Sequence, residues 1–293
     1  MDFVTKAYAY NGTVRIYVAT STELVGEAIK RHHLWPTSAA ALGRTLTIGA
    51  IMGLTYKGDE ELMIRLNGGG PIGDIVVRAD AMGNVRGYVS NPEVFVQYND
   101  GPMKGKLNVG YAVGNNGYIN VTKDLKLRDM FTSTAAIQTG EIAEDFTYYF
   151  AASEQIPSSV GLGVLIDTDN SCLAAGGFLL QLMPGCKEES IKKIEGMLNN
   201  LDSVTKMLSD GLSHEQIINI LSCGDYQILE TKEIRFQCSC SKEGFANGIK
   251  SLDKATIDEM INEDGHAECV CHFCNDKYDF SKEELEQIRN SKH

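Results

Sequence analysis

The chain has 293 residues, 43% hydrophobic and 23% charged, with 29 Gly and only 6 Pro. That is enough for one sizeable core and a smaller second unit. Its 39 acidic against 27 basic side chains give a formal net charge of −12, which repels phosphate backbones and argues against nucleic acid as a partner. The apolar runs near Leu46–Leu54 and Leu173–Met183 are too short and interrupted to cross a bilayer. Met1-Asp2-Phe3-Val4 shows no basic stretch leading into an apolar one, so a soluble cytoplasmic protein without a membrane partner is expected.

Taken in order, the first 183 residues carry strand and turn signals. Val4–Tyr10 and Thr13–Ala19 flank Asn11-Gly12, with Val14, Ile16 and Val18 alternating against Arg15 and Tyr17, which predicts a hairpin. Thr20 with Glu23 has capping-box spacing for a helix over Thr22–His32, and His32-His33 suits its C-terminal end. A second helix is expected over Ser38–Tyr56. Leu62–Leu66 and Ile72–Ala79 flank Asn67-Gly-Gly-Gly70, and Val109–Val113 and Tyr118–Val121 flank Asn116-Gly117, giving two more strand pairs. Gly68-Gly-Gly70-Pro-Ile-Gly73 lacks the Lys-Ser/Thr ending of a phosphate loop and reads as a strand connection; Gly161-Leu-Gly163 reads as strand entry. A helix over Ala143–Gln155 precedes strands at Val164–Asp167 and Cys172–Leu180. Hairpins mixed with irregularly placed helices indicate an α+β fold.

From Pro184 the pattern turns helical. Ile191, Ile194, Leu198 and Leu201 are spaced for one apolar face, and Ser213 with Gln216 opens a helix whose apolar side is Ile217, Ile218 and Leu221. Short, charged helices of this kind need a surface to dock on. The expected organisation is an α+β domain over 1–183, a helical linker over 184–230 and a small domain over 231–293. Helices are expected in the last at Ser241–Leu252, Lys254–Asn262 and Lys282–Arg289, the third capped by Ser281 and Glu284. This small domain is poorer in apolar residues than the chain as a whole, so a bound metal would matter to its folding.

Four of the eight cysteines supply the strongest chemical signal. Cys238-Ser-Cys240 and Cys271-His-Phe-Cys274 are two tight thiol pairs on one small domain, the spacing of a tetrahedral Cys₄ site with zinc as its usual occupant. The same pairs could instead close as local disulfides. Cys269 and His272 are further ligand candidates, but the Cys-x-x-Cys knuckle favours Cys271 over Cys269. Cys172, Cys186 and Cys223 read as ordinary scattered thiols. No Ser/His/Asp set or paired carboxylates with a readable context occur, so no catalytic residues are assigned and a non-enzymatic protein is expected. A thiol oxidoreductase using Cys271 and Cys274 would need a βαβ setting that the motif lacks.

With those cysteines, the segments Trp35-Pro-Thr-Ser-Ala-Ala-Ala-Leu-Gly-Arg44, Gly68-Gly-Gly-Pro-Ile-Gly73, Phe146-Thr-Tyr-Tyr149, Ser153-Glu-Gln155 and Ala174-Ala-Gly-Gly177 through Pro184 make the chain resemble the 33-kDa chaperonin family. These are the redox-regulated heat-shock holdases of bacteria, and the resemblance is to the Bacillus-type branch. Cys269 is an extra thiol beside the family's four. The resemblance implies one Zn2+ per chain in a reduced, inactive form. Oxidation would pair Cys238 with Cys240 and Cys271 with Cys274, release the metal, unfold the last domain and detach the linker. It further implies ATP-independent binding of unfolded client proteins and a homodimer when oxidised. The competing reading is a permanent structural zinc in a protein that binds one specific partner.

Overall fold

Asn11 and Gly12 both have positive φ, 55° and 80°, and turn the chain between β1 (Asp2–Ala9) and β2 (Val14–Thr20) as the hairpin signal predicts. The computed structural model describes residues 1–291; the last two residues of the expected final domain, 292 and 293, lie outside it. The chain divides into two compact units, Met1–Gln237 and Cys238–His293.

The first unit continues through α1 (Thr22–His32), α2 (Pro36–Gly53), β3 (Glu61–Asn67), β4 (Ile75–Asp80), β5 (Asn84–Val89), α3 (Val109–Val113), β6 (Tyr118–Asp124), β7 (Phe131–Ala136), α4 (Ala143–Ala152), β8 (Ser158–Ile166) and β9 (Cys172–Leu182). Three short helices follow, α5 (Glu188–Leu198), α6 (Val204–Ser209) and α7 (His214–Leu221), and then β10 (Tyr226–Phe236). The ten strands form one sheet in the order β7-β6-β3-β4-β5-β10-β1-β2-β9-β8. The expected α+β class is borne out. Position 231, where the final domain was expected to begin, falls inside β10, whose register pairs it with β1 from Asp2↔Ile234 to Ala9↔Tyr226. Among the described residues no helix is long and apolar enough to cross a membrane.

Alternation along β2 sorts its side chains to two cores. Tyr17 and Ala19 join the main core, which is built around the almost fully buried α2 and includes Leu24, Leu42, Leu46, Ile48 and Ile51. Val14, Ile16 and Val18 point the other way and join Ala7, Ala9, Phe178 and Leu180 beneath Ile194, Val204, Met207, Ile217, Ile218 and Leu221 of the short helices. Strands β1, β2 and β9 are therefore apolar on both faces, and the second face is covered by α5–α7.

Two local expectations fail. Val109–Val113 is a helix, not a strand: the Asn108 side chain accepts a hydrogen bond from Tyr111 N at 2.9 Å, and Gly114, at φ 78°, ends the turn, so capping outweighs the strand preference of valine. The Thr20–Glu23 capping box is absent. Ser21 is the N-cap and its hydroxyl pairs with Thr47 Oγ1 at 2.6 Å, while Asp2 Oδ2 accepts from Leu24 N at 2.7 Å. A carboxylate from β1 thus supplies the acceptor that the local sequence does not.

The glycine loop after β3 is a strand connection, as expected, and packs backbone to backbone on the end of α3. A Cβ on Gly68 would lie 2.1 Å from Gly114 O, and one on Gly70 2.3 Å from Ala112 O. Gly68→Ala should therefore destabilise the N-terminal unit by about 1–3 kcal/mol, as overpacking does. Urea unfolding monitored by circular dichroism checks this; an unchanged midpoint would show that the loop yields.

Candidate metal centre

The second unit is built on little apolar material. Its helices α8 (Lys242–Ser251), α9 (Lys254–Glu259) and α10 (Lys282–Asn290) pack with the two-stranded sheet of β11 (His266–Val270) and β12 (Lys277–Ser281). Its buried core comprises Ile249, Ile257, Ile261, Phe280 and Leu285. Each helix begins on a side-chain cap: Ser241 accepts from Gly244 N, Asp253 from Thr256 N, and Ser281 from Glu284 N within the expected capping box. These caps fix the helix starts without adding core.

At one end of this unit the four cysteines meet. Cys238 and Cys240 lie on the segment entering α8, and Cys271 and Cys274 on the knuckle between β11 and β12. The knuckle is closed by Cys271 N donating to Asp276 O at 2.9 Å and Asn275 N donating to Cys271 O at 2.7 Å, with Asn275 at φ 62°. All four sulfurs lie within 4.8 Å of one another. The Cys238–Cys271 and Cys240–Cys274 separations are 3.8 and 3.3 Å. A tetrahedral site with metal–sulfur bonds of about 2.3 Å has sulfur–sulfur edges of about 3.8 Å. The donor set therefore fits a tetrahedral thiophilic metal. The sequence expectation named these four residues, and the fold brings all four together.

Neighbours divide the thiols electrostatically. Burial opposes ionisation of Cys240, but hydrogen bonds from the Tyr278 hydroxyl and the other three thiols outweigh it and lower its pKa. Burial pushes Cys274 and Cys238 upward. Tyr278 Oη lies 3.2 Å from Cys240 Sγ and 3.3 Å from Cys240 O, in reach of donating its one hydrogen to either, and its ring packs on Phe245 with centroids 5.1 Å apart. The Cys274 thiol donates to Asp276 Oδ2 at 3.3 Å. A hydrogen-bond donor on a ligand sulfur stabilises thiolate charge, and such partners orient metal ligands. Sequence reading missed Tyr278 and Asp276. Asp276 was visible two residues beyond the knuckle, whereas Tyr278 depends on the β11–β12 register that sets it opposite Cys269.

The other candidates stand apart. Cys269 lies on β11 against the small core and burial raises its pKa, while His272 is exposed; neither belongs to the four-sulfur group. The motif Cys271-His-Phe-Cys274 sits between two antiparallel strands, not in a βαβ unit.

The two-faced sheet, its short helical cover and the Cys₄ knuckle define a class of protein, and comparison with known sequences identifies it. The model of the Hsp33 protein family matches residues 2–281. The chain belongs to that family. It is 51% identical over 290 residues to the 33 kDa chaperonin of Bacillus subtilis (strain 168), covering 99% of each chain. To the 33 kDa chaperonin of Bacillus pumilus (strain SAFR-032) it is 50% identical over 289 residues, covering 99% of this chain and 98% of that one. The crystal structure of the 33 kDa chaperonin (heat shock protein 33 homolog) of Thermotoga maritima superposes with a TM-score of 0.92 at 35% identity, covering 98% of this chain and 97% of that one. The expected Bacillus-type resemblance is borne out.

Replacing both Cys271 and Cys274 with Ser should abolish stoichiometric metal binding and leave the C-terminal unit protease-sensitive under reduction. Tyr278→Phe should keep the metal but weaken its hold by about tenfold in a chelator competition, the usual scale for losing a supporting partner. Full metal retention in the double variant would refute the ligand assignment.

Proposed function

We propose that this protein is a redox-controlled, ATP-independent holdase with one Zn2+ per chain in its latent form. Domain roles follow the expected division: residues 1–183 bear the client-binding surface, 184–230 cover it and 231–293 carry the switch. The observation that carries this reading is the second face of β1, β2 and β9. Ala7, Ala9, Val14, Ile16, Val18, Phe178 and Leu180 are kept from water there by helices of only 11, 6 and 8 residues. Helices so short do not persist without a docked face. When they leave, a contiguous apolar surface is exposed, and such a surface binds unfolded chains because both parties shed water.

The Cys₄ centre supplies the trigger. Structural zinc stabilises small zinc-finger peptides by about 10–16 kcal/mol, far more than five buried side chains can spare. Zinc holds two segments together that are 33 residues apart at Cys238 and Cys271. Disulfides Cys238–Cys240 and Cys271–Cys274 would each close within one segment and sever that tie. The Cys238–Cys271 and Cys240–Cys274 contacts run between the pairs, and cross-linking in that sense would preserve it. Local pairing is what the family resemblance implies, and it would free the two segments from each other. Only Gln237 separates β10 from Cys238, so disorder beginning at the cysteines reaches the end of the large sheet directly. The family resemblance implies a cytoplasmic, non-enzymatic protein that dimerises when oxidised, and the net charge of −12 argues against nucleic acid as a partner.

The test is light scattering from a chemically unfolded client diluted into reduced, zinc-loaded protein or into peroxide-oxidised protein, with zinc release followed by a chromogenic chelator. Aggregation should be suppressed only after zinc has left, and peptide mapping should find the local disulfides. Equal behaviour of the two forms with zinc retained would replace the switch by a permanent structural zinc and a specific partner.

A further inference from the structure

His214 is the first residue of α7 and reaches from the helical cover to the large sheet. Its Nδ1 lies 2.8 Å from Thr5 Oγ1 on β1, and Thr5 Oγ1 lies 3.0 Å from Thr231 Oγ1 on β10. Thr5 is almost fully buried, and the register sets it directly opposite Thr231. One imidazole and two hydroxyls thus join the cover to two neighbouring strands, between residues 209 positions apart in sequence. Deeper in the same helix, Ile217, Ile218 and Leu221 pack into the second core.

The imidazole has no opposite charge set against it. On β1, Asp2, Lys6 and Tyr8 alternate to the face away from Thr5, and on β2 Arg15 and Tyr17 alternate away from Val18, the residue opposite Thr5. On β10, Glu230 pairs with Lys6 at 3.7 Å, Lys232 donates to Ala81 O at 3.0 Å, and Arg235 donates to Asn84 Oδ1 at 3.2 Å. The ionisable side chains of α5 (Glu188, Glu189, Lys192, Lys193 and Glu195) are exposed. Two carboxylates remain on this side of the sheet. Glu215 of α7 accepts from the Tyr226 hydroxyl at 3.0 Å, and Glu233 of β10 is exposed, opposite Phe3. Neither pairs with His214 among the described residues. Burial alone lowers the His214 pKa, from 6.5 to about 4. The first turn of a helix also carries positive partial charge, so an imidazolium is unwelcome there on a second count.

We infer that His214 is an acid-sensitive latch, whose protonation undocks α7 from β1 and β10 and loosens the cover with thiols and metal unchanged. Docked, the imidazole is neutral; undocked, it meets water and takes up a proton at the ordinary value. Above pH 6.5 neither state is protonated and docking keeps its full stability. As the pH falls from 6.5 toward about 4, the undocked state binds the proton and the docked state does not, so docking weakens through that window and then levels. Between about pH 7.5 and about pH 5.5 the opening of α7 should rise about tenfold. This route into the cover moves one proton and no electrons. The exposure of a client surface, though not the latch, rests on the reading of this segment as its cover.

The experiment follows full-length, reduced, zinc-loaded protein from about pH 7.5 to about pH 5.5, with bound zinc measured in every sample. Amide protection over 214–221, with the intrinsic pH dependence of exchange divided out, should fall about tenfold in the wild type. In His214→Asn, which keeps an amide near the position of Nδ1 but takes no proton, protection should stay level. An equal fall in both proteins, or none in the wild type, would overturn the latch. Ring-proton NMR of the wild type is a check that needs no variant: a His214 that titrates like a solvated imidazole would overturn it too. Scattering from an unfolding client, referred to client alone at each pH, is read on the same samples. Suppression at the lower pH by the wild type and not by His214→Asn, with zinc retained, supports both the latch and the client surface. A loosened α7 without suppression supports the latch and counts against the client reading. Lost protection only in samples that have lost zinc would overturn the latch and leave the metal switch standing.

Discussion

A sheet segment that is apolar on both faces must be covered twice, and most of this molecule follows from that requirement. The first cover, α1 and α2, is long and deeply set: α2 runs from Pro36 to Gly53 and is buried almost throughout. The second is made of three pieces with a single fully buried residue in α5 and two in α6. The hydrophobic driving force is the same per unit area on either face, but the second cover has far less intrinsic helical stability to add to it. The two faces thus differ in permanence, and latent binding capacity resides in the weaker one.

The C-terminal unit makes a complementary choice. Instead of a larger core it invests in four sulfurs at one corner, with caps at Ser241, Asp253 and Ser281 fixing its helix starts. Its fold is therefore conditional on the chemistry of those sulfurs in a way that the large sheet is not. Tyr278 shows how the second strand serves the first sulfur pair: it contacts Cys240, while the neighbouring Phe280 is buried in the small core. One strand supports both the ligands and the packing.

Much of this was legible in the sequence because it depends on near neighbours. Asn11-Gly12, Ser213 with Gln216, and Ser281 with Glu284 act over two to four positions, and the structure uses each of them. The four cysteines were legible because thiol spacing is constrained by tetrahedral geometry. What was not legible depends on distant partners. Asp2 caps α1 from another element, and nothing near Thr20 announces it. Val109–Val113 has the composition of a strand, yet Asn108 and Gly114 close it into a helical turn.

β10 has one further consequence. It pairs with β1 from Tyr226 to Ile234, across one bulge, but with β5 through only Arg235↔Asn84 and Phe236↔Val85, the one parallel pairing of the sheet among the described residues. These two rungs are the seam between the β7-β6-β3-β4-β5 half and the β1-β2-β9-β8 half. Phe236 also lies under the Arg31 guanidinium, 5.3 Å from ring centroid to Cζ, beside the end of α1. Fraying over only two residues would open this pairing and release the cation–π contact together, leaving the two halves joined through the core around α2.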